Sequence, residues 1–148
     1  MEAIFNKKAH FNYHLHDFYT AGIMLQGWEI KPIFARRVKI DNAFILVKDG
    51  EIFLENAEIS PLKTTSTHEL IEATRPRKLL MKKKEIMQLM GQVQQKGYTL
   101  IPTKIFHKGK FIKLEIALAK GKKEYDKRQD VKEREQNREA ANALKHGN

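Results

Sequence analysis

Between Phe111 and Ala119 the chain reads FIKLEIALA, with Ile112, Leu114, Ile116 and Leu118 on one side of an extended backbone and Phe111, Lys113, Glu115 and Ala117 on the other. This period-two alternation predicts a strand with one packed face and one face open to solvent or a ligand. A run of similar character, Tyr98–His107 (YTLIPTKIFH), precedes it, and Lys108-Gly109-Lys110 joins the two as a hairpin. Pro102 lacks the amide hydrogen a ladder needs, so its strand lies at an edge or carries a bulge there. A second hairpin is predicted from Asn42–Lys48 (NAFILVK), Asp49-Gly50 and Glu51–Leu54 (EIFL). A type I′ turn needs positive φ at both central residues, and Asp-Gly supplies it. Between the hairpins the period lengthens: Leu79, Ile86, Leu89, Met90 and Val93 predict a helix over Leu79–Lys96, closed by Gly97 in the left-handed region. Phe11–His16 reads as a strand. Ala21–Val38 reads as strand with at most a short helical turn, interrupted at Pro32.

Several short strands with turn signals and one helix before the last hairpin predict a mainly β molecule, a small OB-type β-barrel with one main α-helix capping an end. An open α+β sheet is the alternative, because periodicity does not decide closure. Apolar residues recur from Phe11 to Ala119 and then thin out. After Tyr125 they are only Val131, Ala140, Ala141, Ala143 and Leu144. Such a segment buries too little surface to offset its ordering entropy. We therefore expect one barrel over 1–123 and a charged tail over 124–148, disordered or loosely helical alone. Acid-first pairs at i,i+4 (Glu124 with Arg128, Asp130 with Arg134) and a capping-box pattern from Asp130 to Glu133 encode a weak helix.

Composition then narrows the partners. With 148 residues, one domain is the prior. The chain has 28 Lys plus Arg against 18 Asp plus Glu, a net charge of +10 that favours a polyanionic partner. Cysteine is absent, which excludes disulfides, thiolate metal sites and a Cys nucleophile. No apolar run approaches the roughly 18–20 residues of a membrane span, and Met1–Phe11 lacks the pattern of a secretory signal. A cytoplasmic, monomeric protein without membrane attachment is expected.

No paired carboxylates, nucleophile elbow, phosphate loop or dinucleotide fingerprint is present, so an enzyme is not expected. His10, His14 and His16 beside Asp17 could offer two metal ligands on one strand face, but a third ligand and its support are missing; rim histidines are the plainer reading. Basic residues cluster at Arg36-Arg37 with Lys39, at Arg75, Arg77 and Lys78, at Lys82-Lys83-Lys84, at Lys104, Lys108, Lys110 and Lys113, and at Lys120, Lys122 and Lys123. Any one run is usually a solvated face. Phe111 and Lys113 on the same outward strand face change that: a ring can stack on a base while the ammonium meets phosphate, unless Phe111 packs against a loop. From Asp126 onward six cations face five anions, so the tail is not a generic polybasic arm. Folding upon a defined surface suits it better; a solubilising terminus is the plainer alternative.

The order of segments resembles the SsrA-binding protein family, small protein B of bacterial trans-translation. The stretches that carry the resemblance are Asn6-Lys7-Lys8-Ala9, the run AGIMLQGWEIK from Ala21 to Lys31, Asp49-Gly50-Glu51, Ile59-Ser60-Pro61, the run RPRKLL from Arg75 to Leu80, GYTLIP from Gly97 to Pro102, and ALAKGKKEYDKR from Ala117 to Arg128. Together they cover essentially the whole chain. The resemblance implies an OB-type barrel that binds the tRNA-like domain of transfer-messenger RNA and delivers it, charged with alanine, to stalled ribosomes. It further implies that the barrel supports the RNA's elbow and reduced D-arm. The tail is expected to become helical in the empty messenger channel below the decoding centre of the small subunit. Elongation factor Tu with GTP accompanies the delivery, and the family is non-catalytic.

By position, the family's RNA-contacting lysine falls on Lys113, and the leucine after its Arg-x-Arg-Lys-Leu start falls on Leu80. Thr20 stands where many members carry an RNA-binding Glu, and Pro32 where many carry Ser. Charge, aromatic character and the resemblance together assign Thr20, Trp28, Glu29, Lys31, Arg75, Arg77 and Lys78 to RNA contact. Leu80, Lys82, Phe111, Lys113, Lys120, Lys122 and Lys123 complete that set. The tail residues assigned to the ribosome are Tyr125, beside the decoding centre, with Asp126, Lys127, Arg128, Lys132, Arg134 and Arg138. A generic OB module for single-stranded nucleic acid is the alternative function. No cofactor or metal is expected.

Overall fold

The computed structural model describes residues 2–63 and 71–146, without the side chains of residues 95, 124 and 139–146. The predicted Glu124–Arg128 pair and the apolar residues after Arg138 thus lie outside the described side chains.

Strand β9 (Phe111–Gly121) is the backbone of the fold. Its inner residues Ile112, Leu114, Ile116 and Leu118 are buried as the alternation requires. It pairs antiparallel with β8 (Thr99–Lys108) and with β2 (Tyr13–Ile23). The sheet continues through β7 (Arg77–Leu80), β5 (Glu51–Glu55) and β4 (Phe44–Lys48), and β1 (Ile4–Phe5) borders β8 at the other end. The hydrogen-bonded order is β1-β8-β9-β2-β7-β5-β4. β4 also packs beside β8, so the sheet curls almost into a barrel although its ladder does not close. A two-stranded pair, β3 (Val38–Lys39) with β6 (Glu58–Ile59), lies outside this sheet. The mainly β class, with a large antiparallel sheet and a long helix, is as expected.

Both hairpins form. Asp49 and Gly50 have φ of 54° and 76°, the two positive values a type I′ turn demands, and Lys48 pairs with Glu51. In the second hairpin Lys108 pairs with Phe111 and Gly109 takes φ of 61°, so β8 extends one residue further than predicted. The register slips between Pro102 and Lys104, which makes Thr103 a bulge. Its hydroxyl donates to the Glu115 side chain at 2.8 Å, and its carbonyl accepts from the Asn6 amide at 2.8 Å. Of the two options Pro102 left open, the bulge is realised; β8 is an inner strand.

Three local expectations are corrected. Leu79 and Leu80 belong to β7, paired with Ile23 and Gly22, and the helix α3 (Lys83–Lys96) begins three residues later. The vacant sheet position between β2 and β5 outweighs helical spacing that Leu79 satisfies only by itself. Glu85 accepts from the Lys82 amide at 3.3 Å to open α3, and Gly97 closes it at φ 67°. Second, Ala21–Val38 is strand only at its ends, through Ile23 in β2 and again at Val38, where β3 begins. A helix α2 (Gly27–Phe34) lies between, opened by the Gln26 amide donating to Glu29 Oε1 at 2.6 Å, with Pro32 inside it near its end. Third, Phe11 and Asn12 end a short helix α1 (Ala9–Asn12) and are not strand. Ala9 of that helix forms a small second core with Ile101 and Ala119, and Ala117, which alternation had turned outward, is also buried. The main core joins Trp28 and Ile33 of α2, Ile86 and Leu89 of α3 and the inner faces of β5, β7, β8 and β9. The C-terminal segment is a helix, α4 (Glu124–His146). Among the described residues no helix is long and apolar enough to cross a membrane.

Candidate nucleic-acid interface

The register sets one row of outward residues across four strands. Phe106 of β8 faces Lys113 of β9, Lys113 faces Gly22 of β2, and Gly22 faces Leu80 of β7. Three interstrand spacings make the row about 14 Å wide. Leu80 is 53% exposed, an unusual state for a leucine at the middle of a sheet. Gly22 leaves bare backbone between the ammonium and the leucine, where an added Cβ would stand 3.2 Å from the Cβ of Leu80. The dip is therefore shaped by the missing side chain.

Neighbouring rows extend this face. Thr20 is exposed opposite Glu115, and Lys104 faces Glu115 from the other side, with its ammonium 3.7 Å from that carboxylate. Phe111, 60% exposed at the hairpin, lies under two ammonium groups, Lys110 at 5.7 Å and Lys113 at 5.6 Å. Among the described residues it belongs to no buried cluster, which favours the open-face alternative its alternation left. Lys104 likewise lies 5.3 Å from the Phe106 ring. On the far side Lys78 pairs in register with Phe53 and bonds Glu51 at 3.2 Å, while Lys82 is exposed at the start of α3. Among the described residues Lys110 and Lys113 form no ion pair with a carboxylate. Rings and unneutralised cations interleaved on one face can stack bases and meet phosphates together.

Beneath the face lies a different arrangement. Glu29 and Arg77 are 0% exposed. Glu29 accepts from Arg77 Nε at 2.6 Å and from the Arg75 guanidinium, and Arg77 donates to the carbonyls of Ala57 at 2.7 Å and Ala73 at 3.0 Å. Burial pushes the Arg77 pKa down from its ordinary value, and the bond and charge of Glu29 oppose that shift. Trp28 is buried and donates to Gln26 Oε1 at 2.8 Å. Trp28, Glu29 and Arg77, expected at the RNA contact, are all buried here: Glu29 and Arg77 tie α2 to β7 from inside, and Trp28 packs into the main core. Arg75 is mostly covered and serves the same network. Lys31 is exposed on α2.

The remaining assigned residues gather at the opposite end of β9, where the tail begins. Lys120 is exposed, with its ammonium 4.9 Å from the Tyr98 ring, and Lys123 is exposed. Lys122 is ion-paired with Asp130 of α4. Asp126 accepts from His14 at 3.3 Å and from the Lys123 amide at 3.3 Å, and the His14 bond is the leading reason its carboxyl sits below its ordinary value. Lys127 and Arg134 both lie against the Phe11 ring. Tyr125 is 70% exposed and its hydroxyl accepts from Gln129. Arg128, Lys132 and Arg138 are exposed along the helix. The histidines do not converge: a bulge between Leu15 and Phe18 separates His14, on Asp126, from His16, which packs edge-on against Tyr98. Among the described residues no three potential metal ligands come together.

Gly22, Lys104, Lys110, Phe106 and Phe53 were absent from the assigned set. Lys104 and Lys110 belong to the basic cluster that also holds Lys113, but only strand register could have revealed the other three, since it decides which residues stand beside Lys113 and Leu80.

Comparison with known proteins agrees with this geometry. The family model described as "SmpB protein" matches residues 3–146. A protein named "SsrA-binding protein" from Methylibium petroleiphilum is 49% identical over 141 residues, covering 95% of this chain and 91% of its own. Another of that name from Bordetella pertussis is 47% identical over 146 residues, covering 99% and 94%. A chain of a solved structure described as "tmRNA-SmpB: a journey to the center of the bacterial ribosome" superposes with a TM-score of 0.68 at 37% identity, covering 82% of this chain and 85% of that one. Matched along nearly its whole length in sequence and over most of it in fold, the chain belongs to the SmpB family.

Proposed function

We infer that this protein binds the tRNA-like domain of transfer-messenger RNA and brings it to stalled ribosomes, where the RNA's tag is translated. Family membership supports the partner, and one observation carries the mode of binding: the row Phe106, Lys113, Gly22 and Leu80, with Phe111 under its two lysines, on the outer face of the sheet. A folded RNA elbow offers unstacked bases, 2′-hydroxyls and closely spaced phosphates, which such a face can engage at once. Lys113 meets phosphate, Phe111 and Leu80 meet base or ribose surface, and Thr20 hydrogen-bonds where the family has a carboxylate. No reaction step is assigned to any residue.

The tail supplies the ribosomal half of the function. Its described part carries both signs of charge and little apolar surface, so beyond its anchoring contacts with Phe11, His14 and Lys122 it gains stability from a surface that confines it. An empty messenger channel is such a place, and a resident message would exclude the helix sterically and by charge. Tyr125, Asp126, Lys127 and Arg128 stand at its root, nearest the decoding centre. Elongation factor Tu with GTP reaches the complex through the RNA, and the work is done in the cytoplasm.

Competition tests this reading against a generic single-strand module. The folded tRNA-like RNA should displace a bound poly-pyrimidine strand, with log affinity falling steeply against log salt. Equal affinity for both would favour the generic module.

A further inference from the structure

We propose that Phe11, on α1, is a positioning residue that sets the direction in which the tail helix leaves the barrel. The inference rests on the tail's proposed ribosomal role and adds the part of the barrel that aims it.

Lys127, Val131 and Arg134 are spaced i, i+4, i+7 and form one stripe of α4. That stripe faces the Phe11 ring. Lys127 Nζ is 5.9 Å from the ring centroid and the Arg134 guanidinium carbon 5.4 Å, and Val131 lines a cavity of about 430 Å³ with Phe11, Lys127 and Arg128. Val131 is the only branched apolar residue between Tyr125 and Arg138, so the stripe is the one place where this segment can grip an aromatic surface. Asp126 and Asp130 form the adjacent stripe, held by His14 of β2 and by Lys122 just beyond β9. Two neighbouring stripes, one held by α1 and the other by β2 and the segment after β9, fix both rotation and tilt of a helix, which neither stripe could do alone. The acid stripe can exchange its partners for solvent and salt. The Phe11 ring adds what no ion pair supplies, an apolar surface for Val131 flanked by two cations over its face. Phe11 stands at the other end of β2 from Gly22 and takes no part in the RNA face.

The test uses full chains with one label at an introduced cysteine on α4 and one on the barrel, loaded with transfer-messenger RNA on a stalled ribosome; the natural chain contains no cysteine to interfere. The unaltered protein should give one narrow label-to-label distance. Phe11→Ala should broaden it and reduce tagging about fivefold or more, while affinity for the tRNA-like domain stays unchanged. Phe11→Tyr should restore both. Val131→Asn, which alters only the tail, should broaden the distance in the same way. An unchanged distance in Phe11→Ala and Val131→Asn overturns the inference, as does loss of RNA affinity equal to the loss of tagging. A chain truncated before Asp126 separates the two readings. If truncation abolishes tagging and Phe11→Ala does not affect it, the aiming role fails alone; if truncation leaves tagging intact, the tail's ribosomal role fails first.

Discussion

Arg77 and Lys78 are adjacent cations in β7 with opposite fates, because successive side chains of a strand point to opposite faces. Arg77 points inward to Glu29, and Lys78 outward to the face that carries Leu80 and Phe53. Replacing Glu29 by Gln would leave a buried guanidinium without its counter-charge, and the denaturation midpoint should drop by the equivalent of about 3–5 kcal/mol. Affinity for RNA, measured below that midpoint, should not change. Lys113→Ala should do the reverse. Stability should move by no more than about 0.5 kcal/mol. RNA affinity should weaken, and the salt dependence should become shallower by about 0.7–0.9 in the slope of log affinity against log salt, one phosphate's worth. An unaltered slope would remove Lys113 from phosphate contact. At this scale the sequence distinguished Lys113 and Phe111 because clean alternation named their face. It could not separate Glu29 and Arg77 from contact residues, because burial of a charge depends on a partner 48 positions away.

Elements were legible where their signal was local. Asp49-Gly50, Gly97 and the alternation of β9 each specify a backbone conformation within a few residues, and each was found. Leu79 and Leu80 were misassigned because their strand exists only through pairing with Ile23 and Gly22, far away in the chain. The region of α2 was misread for a related reason: Pro32 suggested an interruption, yet it sits in the last turn of a helix that a Schellman motif terminates. There the Arg37 amide donates to the Pro32 carbonyl at 2.9 Å and the Arg36 amide to the Ile33 carbonyl at 3.0 Å. Arg36 occupies the left-handed position of that motif at φ 62°, where glycine has no side-chain penalty. Arg36→Gly should therefore raise stability by about 0.5–1 kcal/mol, measured as a higher midpoint in urea. A lower midpoint would mean that the exposed bond from Arg36 to the Glu2 carbonyl outweighs the backbone gain.

For the molecule as a whole, charge and apolar content divide along the chain. The barrel holds most apolar residues and the proposed RNA face at one end of β2; the tail helix leaves at the other end, rooted on Phe11, His14 and Lys122. The two proposed roles, RNA grip and ribosomal sensing, thus belong to separate parts of the chain. The measurement that tests this most directly compares the full chain with one ending at Tyr125, both for affinity toward the tRNA-like domain and for tagging on ribosomes stalled without a stop codon. The account predicts equal affinities and no tagging by the shorter chain. Parallel loss of both, or tagging that survives the truncation, would contradict it.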